Sequence, residues 1–358
     1  MLSQSTDLLH TYIACAVPGF LVLIFIEAIY VHRNKLDYYR LNDSLTSLGC
    51  GLFTTTFEFF VKAGLLWMYL LVHQRHAVFE IDDYSWMNWV TGIVLFDFLW
   101  YWAHRLSHQV NVLWGGHEPH HQPEEFNLSA ALRQGALQDL MYWPFYMVMA
   151  LVGYSAEMFI AHIMVNKFYG FWLHTKTIGR LPLIEGFLST PSAHRVHHGM
   201  NELYLDRNHG GIFMVWDRMF GTYQTETEPV IFGVRQPYRS FDPVWSHFHW
   251  LHSLLQDARD TDSITDKFKL WFMPTGWRPG DVREIDRGKL DSLDGFQKSR
   301  VNNSWRVLVL ALLMFIVLAG LNQGLYLFGS ETWLSATIAV SLVVGLYAMG
   351  RVLDSERV

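Results

Sequence analysis

The stretch DFLWYWAHRLSHQVNVLWGGHEPHH, residues 97–121, runs from an apolar segment into two histidine motifs, HRLSH and HEPHH, and a third motif, HRVHH, occupies residues 194–198. Residues three and four apart on a helix share a face, so each motif can direct two or three imidazoles at one point. Neutral imidazole is a common ligand of iron, zinc, copper and nickel. The eight histidines are His104, His108, His117, His120, His121, His194, His197 and His198. Eight ligands exceed what one metal ion uses, so the motifs predict a two-metal site.

The composition indicates a membrane protein. Charged residues make up 17% of the chain, below the roughly 25% typical of soluble domains. Apolar runs of about 18 or more residues are typical of spanning helices. The runs cover residues 12–30, 45–72, 86–102, 140–173, 307–325 and 333–349. Because 140–173 is long enough for a hairpin, we expect an all-α, polytopic protein with about seven spanning or half-spanning helices.

The distribution of Lys and Arg predicts the orientation of these helices, because cytoplasmic loops are enriched in both residues. The first ten residues contain neither, whereas the loop after the first run contains three. This places the N-terminus outside and the C-terminus and all histidine motifs in a cytoplasmic helical cap, in either a bacterial inner membrane or the endoplasmic reticulum. The first run lacks a positive leader, so we expect a retained span rather than a signal peptide.

Three segments are predicted along the chain. Residues 1–43 form an N-terminal span and cytoplasmic loop, 44–280 a membrane-embedded core with the histidine motifs, and 281–358 a polar linker with two further spans. Within 45–72, Glu58 and Lys62 must pair, snorkel or face the protein interior.

Several function classes are disfavoured. Cys15 and Cys50 both lie in apolar runs, which argues against a disulfide framework. The formal charge of −6 comes without a basic block, so no nucleic-acid partner is expected. No GxGxxG motif indicates a nicotinamide or flavin domain, and no HPGG motif indicates a fused cytochrome b5. Any reducing equivalents are therefore expected from an external electron donor.

Other polar residues near the motifs are candidates for supporting the metal site. Asp97 shares a helical stripe with His104 and His108, which suggests a carboxylate that fixes an imidazole or binds metal directly, although another buried polar partner is also possible. Asn127, Arg133 and Asn208 are further candidates of this kind. His174, which ends the hairpin at the same face, is a candidate ninth ligand.

The local signals around the motifs also predict structure. Gly115 and Gly116 suggest a loop, with Pro119 in the first turn of a following helix, and Pro191 suggests a helix start before His194. His162 is expected to be hydrogen-bonded in the core, and His209 is not expected to be a ligand. The trio His247, His249 and His252 is expected on an amphipathic membrane-surface helix.

The motifs resemble those of the fatty acid hydroxylase and sterol desaturase superfamily, with the alkylglycerol monooxygenase branch most similar. The resemblance rests on residues 97–134, on FWLHT at 171–175 and on 190–223, with a weaker match at 270–280. It implies two iron ions that activate O2 for hydroxylation of an aliphatic C–H of a membrane lipid, with cleavage of an alkylglycerol ether. It also implies tetrahydrobiopterin as electron donor, with an external ferredoxin or cytochrome as the open alternative. Gln109 stands where that branch carries a glutamate, which makes it a candidate site residue. Gly170 stands where fatty acid 2-hydroxylases carry a histidine.

Alternatives remain open at this point. Within the superfamily, the substrate can be a sterol, a hopanoid, a carotenoid or a fatty acyl chain. Outside it, the site can hold zinc and hydrolyse a lipid, or the protein can transport metal. Zinc hydrolases typically use three protein ligands, and transporters are expected to place ligands within the membrane, so both fit eight clustered histidines outside the spans less well.

Overall fold

A computed structural model describes residues 2–235, 238–282, 304–328 and 332–355. Within these ranges the secondary structure is helical, with three isolated β-bridges and no strand, which confirms the all-α class. The α-helices are α1 Leu2–Arg33, α2 Leu41–His76, α3 Trp86–Gln109, α4 Asn111–His121, α5 Gln138–Val152, α6 Ala156–Trp172, α7 Pro191–His197, α8 Val215–Met219, α9 His249–Asp260, α10 Ile264–Lys269, α11 Trp305–Phe328 and α12 Thr332–Asp354.

Three of these helices are long and apolar enough to cross a bilayer, namely α2, α12 and the Trp305–Tyr326 part of α11. The expected hairpin is present as α5 and α6, but these have 15 and 17 residues, fewer than the roughly 20 that a full span needs. They meet at Gly153, whose φ of 117° favours glycine. The count of about seven spans stays a prediction for the remaining helices.

Helices α2, α3, α5 and α6 pack around one aromatic core. Tyr69 of α2 stacks on Phe159 of α6 with ring centroids 4.5 Å apart, and Phe96 of α3 stacks on Tyr146 of α5 at 5.3 Å. All four rings are buried. Because this core fixes the middle of α3, it also fixes the direction of the last turns of α3, which carry His104 and His108.

The charges in α2 lie in a half-buried ionic cluster, which agrees with the expected pairing. Lys62 Nζ is 2.5 Å from Glu58 and 3.4 Å from Asp139 of α5, and Lys167 of α6 contacts the same carboxylates at 3.7 and 3.4 Å. Two cations and two anions therefore neutralise one another between three helices, and we call these four residues the ionic cluster.

The C-terminal helices α11 and α12 pack against each other and against α2 around Leu342, Leu346 and Met349. Asp354 at the end of α12 accepts a hydrogen bond from the backbone N–H of Phe241 at 2.9 Å, which ties this helix to the cap. The polar linker expected at the start of 281–358 lies largely outside the described residues. The division into three segments stays a prediction.

Candidate metal centre

Four chain segments bring nine buried histidines together in two groups. Helix α3 contributes two, α4 contributes three, α7 with its C-cap contributes three, and His174 follows α6. The five-histidine group is His104, His108, His117, His121 and His197, and the four-histidine group is His120, His174, His194 and His198. In each group, one side-chain nitrogen from every member lies within 4.8 Å of the others. These nine are the residues that the sequence analysis selected as ligands.

Helix α4 differs from the sequence prediction. Gly115 and Gly116 lie inside it rather than in a loop, and Pro119 lies in its last turn rather than its first. A Cβ at Gly115 would lie 2.5 Å from Leu251 of α9, and one at Gly116 would lie 2.5 Å from Met141 of α5. The glycines therefore serve close helix packing, which local sequence signals do not distinguish from a loop.

Helix α7 begins as predicted. Thr190 is its N-cap and accepts a hydrogen bond from the backbone N–H of Ala193 at 3.2 Å, and Pro191 takes the first position. A proline there loses no intrahelical bond because the first N–H groups of a helix have no internal partner. This start places His194 and His198 one turn apart.

Oxygen acceptors hold the imidazoles from behind through Nδ1. The contacts are His104 with the His209 carbonyl at 2.8 Å, His117 with Gln138 Oε1 at 2.8 Å, His120 with the Arg133 carbonyl at 2.9 Å, His174 with the Gly170 carbonyl at 2.8 Å and His197 with the Arg207 carbonyl at 3.0 Å. A carbonyl oxygen only accepts, so Nδ1 donates and Nε2 is left with a free lone pair. Such partners are typical of metal-ligating histidines.

The Nε2 atoms converge to short mutual distances. His117 Nε2 is 2.9 Å from that of His104 and 3.1 Å from that of His121; in the other group the His120–His174, His174–His194 and His194–His198 pairs are 3.2, 3.0 and 3.2 Å apart. Two unprotonated nitrogens at this distance repel each other, whereas a shared cation removes the repulsion. Nitrogens bonded at about 2.0–2.1 Å to one ion are themselves about 3 Å apart. The residues therefore fit a metal ion in each group.

Burial keeps these imidazoles neutral. Desolvation lowers the pKa of His117, His121, His197 and His198 well below the ordinary 6.5, and neighbouring imidazoles lower it further. Burial also lowers the pKa of His120, to about 4. Neutral imidazole is the form that binds metal, so the apoprotein presents ligands in their binding form at neutral pH.

Asp97 holds a loop rather than an imidazole. Its carboxylate accepts hydrogen bonds from the backbone N–H groups of Ile212 at 2.6 Å and Phe213 at 3.1 Å, and from Trp216 Nε1 at 2.9 Å. The sequence analysis favoured an imidazole partner. Two donors on this loop and one on the adjacent helix α8 instead offset the cost of burying this carboxylate. Ile212 and Phe213 follow shortly after His209 in the chain. By holding these two residues, Asp97 also fixes the position of the His209 carbonyl, which accepts the hydrogen bond from His104 Nδ1.

The other candidate supporting residues take different positions. Arg133 anchors His120 through its carbonyl, while its guanidinium donates to the Pro119 carbonyl at 3.0 Å. Asn208 donates to the Ala193 carbonyl at 3.0 Å and so ties its loop to α7. Asn127 donates to the Tyr38 carbonyl at 2.7 Å, away from the imidazoles. Gln109 is half-buried at the end of α3, and the described residues show no hydrogen bond from it to a histidine.

His209, which the sequence analysis did not count as a ligand, belongs to neither histidine group but lies beside the five-histidine group. It is fully buried, with its ring centroid 5.0 Å from that of His108 and 5.7 Å from that of His197. Neither ring nitrogen has a hydrogen-bond partner among the described residues. No other histidine lies three or four residues from His209, so helical spacing does not indicate that it lies near the site. His162 does contact a core carbonyl, that of Trp89 at 3.1 Å, as expected.

The trio at 247–252 is divided. His249 and His252 lie on the amphipathic helix α9, as expected, whereas His247 precedes it and is buried against Phe53.

A cavity of about 410 Å³ opens beside the histidines on the side of α1, α2, α6 and α11. Its wall is mainly apolar, with Phe20, Leu48 and Phe315 among its residues, and includes three members of the ionic cluster, Glu58, Lys62 and Lys167. The histidines in this wall are His104, His117, His120, His174 and His194. We call it the first cavity.

A second cavity, of about 270 Å³, lies in the cap. Its wall includes Trp114, Glu118 and Trp250. The histidines in this wall are His108, His121, His197 and His198.

The fold and the site together define an all-helical membrane protein with a buried centre of nine histidines. A family model described as "Fatty acid hydroxylase" matches residues 89–222. Alkylglycerol monooxygenase of Danio rerio is 34% identical over 322 residues, covering 88% of this chain and 71% of the relative. The Homo sapiens alkylglycerol monooxygenase is 35% identical over 282 residues, or 78% of this chain. The chain belongs to the fatty acid hydroxylase family.

The matched region covers only part of the length of some relatives, and the chain also matches a more distant relative with a different name. The matched region spans 63% of the length of the human relative. Lathosterol oxidase of Mus musculus is 28% identical over 157 residues, covering 40% of this chain and 50% of the relative, which is a match to a sterol-related member. No solved structure matches the chain.

Proposed function

We propose that this chain is a di-iron, O2-dependent membrane monooxygenase that hydroxylates an aliphatic C–H of a lipid, with an alkylglycerol as substrate. The observation that carries the proposal is the contact of two convergent histidine groups with one apolar cavity. The match over most of its length to relatives named alkylglycerol monooxygenase supports the choice of substrate.

The proposed ligands are the nine histidines of the two groups. Side chains alone do not oxidise an unactivated C–H bond, so the reaction needs a metal-bound oxidant, and iron bound here would supply O2 activation. A shell of imidazoles without thiolates suits a metal that keeps positions open for oxygen. Gln138 and the carbonyls behind the rings orient the ligands and hold the Nδ1 protons in place.

The first cavity is the proposed lipid site. Its apolar wall suits an alkyl chain, and its volume lies within the roughly 300–1,000 Å³ of small-molecule sites. The ionic cluster carries two positive and two negative side chains. Because it leaves no net charge for a phosphate, an uncharged polar head such as glycerol is the better match. The buried wall also keeps water from the reacting carbon.

The proposed reaction balances as one lipid C–H, O2, two electrons and two protons giving one alcohol and one water. Hydroxylation of the carbon beside an ether oxygen yields a hemiacetal, which collapses to a fatty aldehyde and a glycerol derivative. The electrons come from an external donor, for which we propose tetrahydrobiopterin. The partners are thus a membrane lipid, O2 and this donor, without nucleic acid.

For topology, we propose that the histidine cap and the C-terminus face the cytoplasm and the N-terminus lies outside. The proposed segments are 1–43, 44–280 and 281–358. The excess of Lys and Arg in the loops on the side of the cap supports this orientation.

Metal analysis and oxygen uptake test the proposal together. The protein is purified without oxygen, its metals are counted, and oxygen consumption is followed with a 1-O-alkylglycerol and with the ester-linked acylglycerol of the same chain length as matched control. We expect two irons per chain and oxygen uptake with release of fatty aldehyde from the ether lipid only.

Other outcomes separate the alternatives. One zinc per chain without oxygen uptake contradicts the oxygenase and favours a hydrolase, and metal movement across vesicles favours a transporter. Oxygen uptake driven by a sterol, a carotenoid or a fatty acyl lipid instead keeps the reaction class and replaces the ether substrate.

A further inference from the structure

Two carbonyls of one loop in the cap, residues 206–209, hold imidazoles of the five-histidine group. The His209 carbonyl accepts a hydrogen bond from His104 Nδ1 at 2.8 Å, and the Arg207 carbonyl accepts one from His197 Nδ1 at 3.0 Å. Both contacts leave Nε2 of the ring unprotonated for a metal. Among the hydrogen bonds of the described residues, none joins this loop to an imidazole of the four-histidine group. The loop therefore supports one metal position and not the other.

Asn208 fixes the backbone of this loop. Its side chain donates to the Gln224 carbonyl at 2.7 Å and accepts from the Gln224 N–H at 2.8 Å, and its own N–H donates to the Thr222 carbonyl at 3.0 Å. Asp206 and Asn208 have φ angles of 53° and 56°, in the left-handed region where Asp and Asn are enriched among residues other than glycine. These contacts give the loop a defined conformation, which determines where the Asp206 side chain projects.

The Asp206 carboxylate faces a third imidazole of the same group. Its Oδ1 lies 3.7 Å from His108 Nδ1. His108 Nε2 is buried without a hydrogen-bond partner among the described residues, which leaves that nitrogen for the metal. A charge-assisted N–H···O bond is about 2.7–2.9 Å long, so closing this contact requires a shift of about 1 Å. The Asp206 side chain is 55% exposed, so it can make this shift without displacing packed neighbours.

We propose that Asp206 is a positioning residue for His108, whose Nδ1–H donates to the carboxylate when Nε2 binds metal. The carboxylate then fixes the ring and makes Nε2 a stronger ligand, as is typical of carboxylates behind metal-bound histidines. Together with the Arg207 and His209 carbonyls, it lets loop 206–209 orient three of the five imidazoles. This inference rests on the metal-binding part of the proposed function and is independent of the lipid and of the electron donor.

Two substitutions at Asp206 separate the hydrogen bond from the stability of the fold. Asp206→Gly removes the carboxylate and suits the φ of 53°, so the unfolding temperature of the metal-free protein should not fall. Asp206→Asn keeps an acceptor oxygen and also tolerates this φ. Glu202→Gln is the matched control, because Glu202 is an exposed carboxylate four residues earlier that forms an ion pair with Arg235.

The affinity of each metal ion is the main measurement. The full-length protein is loaded with Co²⁺, a chelator competes for the ions, and visible absorption reports the ligand geometry of each ion. We expect Asp206→Gly to lower the affinity for one of the two ions by about 10- to 100-fold, to shift the absorption bands of that ion and to leave the other ion unchanged. Asp206→Asn should recover part of the lost affinity, and Glu202→Gln should match the wild type.

Two ligand variants identify the affected position. His198→Ala should leave an ion only in the five-histidine group, and His121→Ala should leave one only in the four-histidine group. Asp206→Gly added to His198→Ala should therefore weaken the remaining ion by the same factor as in the wild-type background. The same change added to His121→Ala should have no effect on the remaining ion.

The proposal is overturned if Asp206→Gly binds both ions as tightly as the wild type, if Glu202→Gln causes an equal loss, or if the loss falls on the four-histidine group. The expected loss in Asp206→Gly, combined with no oxygen uptake by the iron-loaded wild type with any lipid, would contradict the proposed function and leave this role of Asp206 standing. Wild-type protein that binds no ion would contradict the ligand assignment itself and this role with it.

Discussion

The five-histidine and four-histidine groups differ in origin and in surroundings. The first takes every member from a histidine motif, whereas the second needs His174 from the segment after α6. Three of the four histidines in the smaller group line the first cavity, and three of the five in the larger group line the second. A six-coordinate ion would keep two positions open in the smaller group and one in the larger. The two metal positions are therefore expected to be unequal, with more room for O2 on the lipid side.

Helical spacing explains how one motif serves both groups. At about 3.6 residues per turn, residues four apart differ in direction by about 40°, and adjacent residues by about 100°. In α4, His117 and His121 enter the five-histidine group and His120 enters the other. In the HRVHH segment the assignment is reversed, with His194 and His198 in the four-histidine group and His197 in the other. Each HxxHH motif therefore bridges the two positions.

The largest predicted effect comes from removing one ligand in each group. His121→Ala and His198→Ala should each reduce the metal content from two towards one and lower turnover by more than about 100-fold, beyond the 10- to 100-fold loss typical of residues behind the ligands. Metal per chain and oxygen uptake measure this, with membrane insertion as the control. The double variant His117→Ala/His121→Ala, with both changes in one group, should lose one metal per chain. The double variant His121→Ala/His198→Ala, with one change in each group, should lose both metals.

Retention of two metals and full activity by either single variant would show that the ligand assignment is wrong. Loss of both metals from each single variant would show instead that the groups act as one site.

An intermediate effect should come from the residues that accept hydrogen bonds from Nδ1 of the ligand imidazoles. In the five-histidine group, the Gln138 side chain holds His117, whereas main-chain carbonyls hold His120 and His174 in the other group. Gln138→Leu should lower metal affinity by about 10- to 100-fold, measured by competition with a chelator. Gln134→Leu is the matched control, because Gln134 lies 3.3 Å from His120 Nδ1 while the Arg133 carbonyl already holds that nitrogen at 2.9 Å. Equal losses in both variants would point to general destabilisation of the fold.

The sequence predicted some parts of this centre and missed others for physical reasons. Spacing within one helix selects residues that share a face, so the motif histidines could be identified from the sequence alone. The helix start at Pro191 could be predicted from the proline and the polar residues around it. The helical conformation of Gly115 and Gly116 could not be predicted, because these glycines serve contacts with Leu251 and Met141 from other helices. The partners of Asp97 were equally hidden, since Ile212 and Phe213 lie more than a hundred residues away in the chain.

The smallest effect is expected at His209, and it decides whether the larger group has a sixth member. The ring is buried beside His108, and its nitrogens find no partner among the described residues. His209→Phe keeps a ring of similar shape and removes those unsatisfied polar atoms, so the free energy of unfolding should change by less than about 1 kcal/mol. The backbone carbonyl that anchors His104 is unchanged, so two metals should remain. Loss of one metal in this variant would instead show that His209 is a ligand, and the five-histidine position would then have no site open to O2.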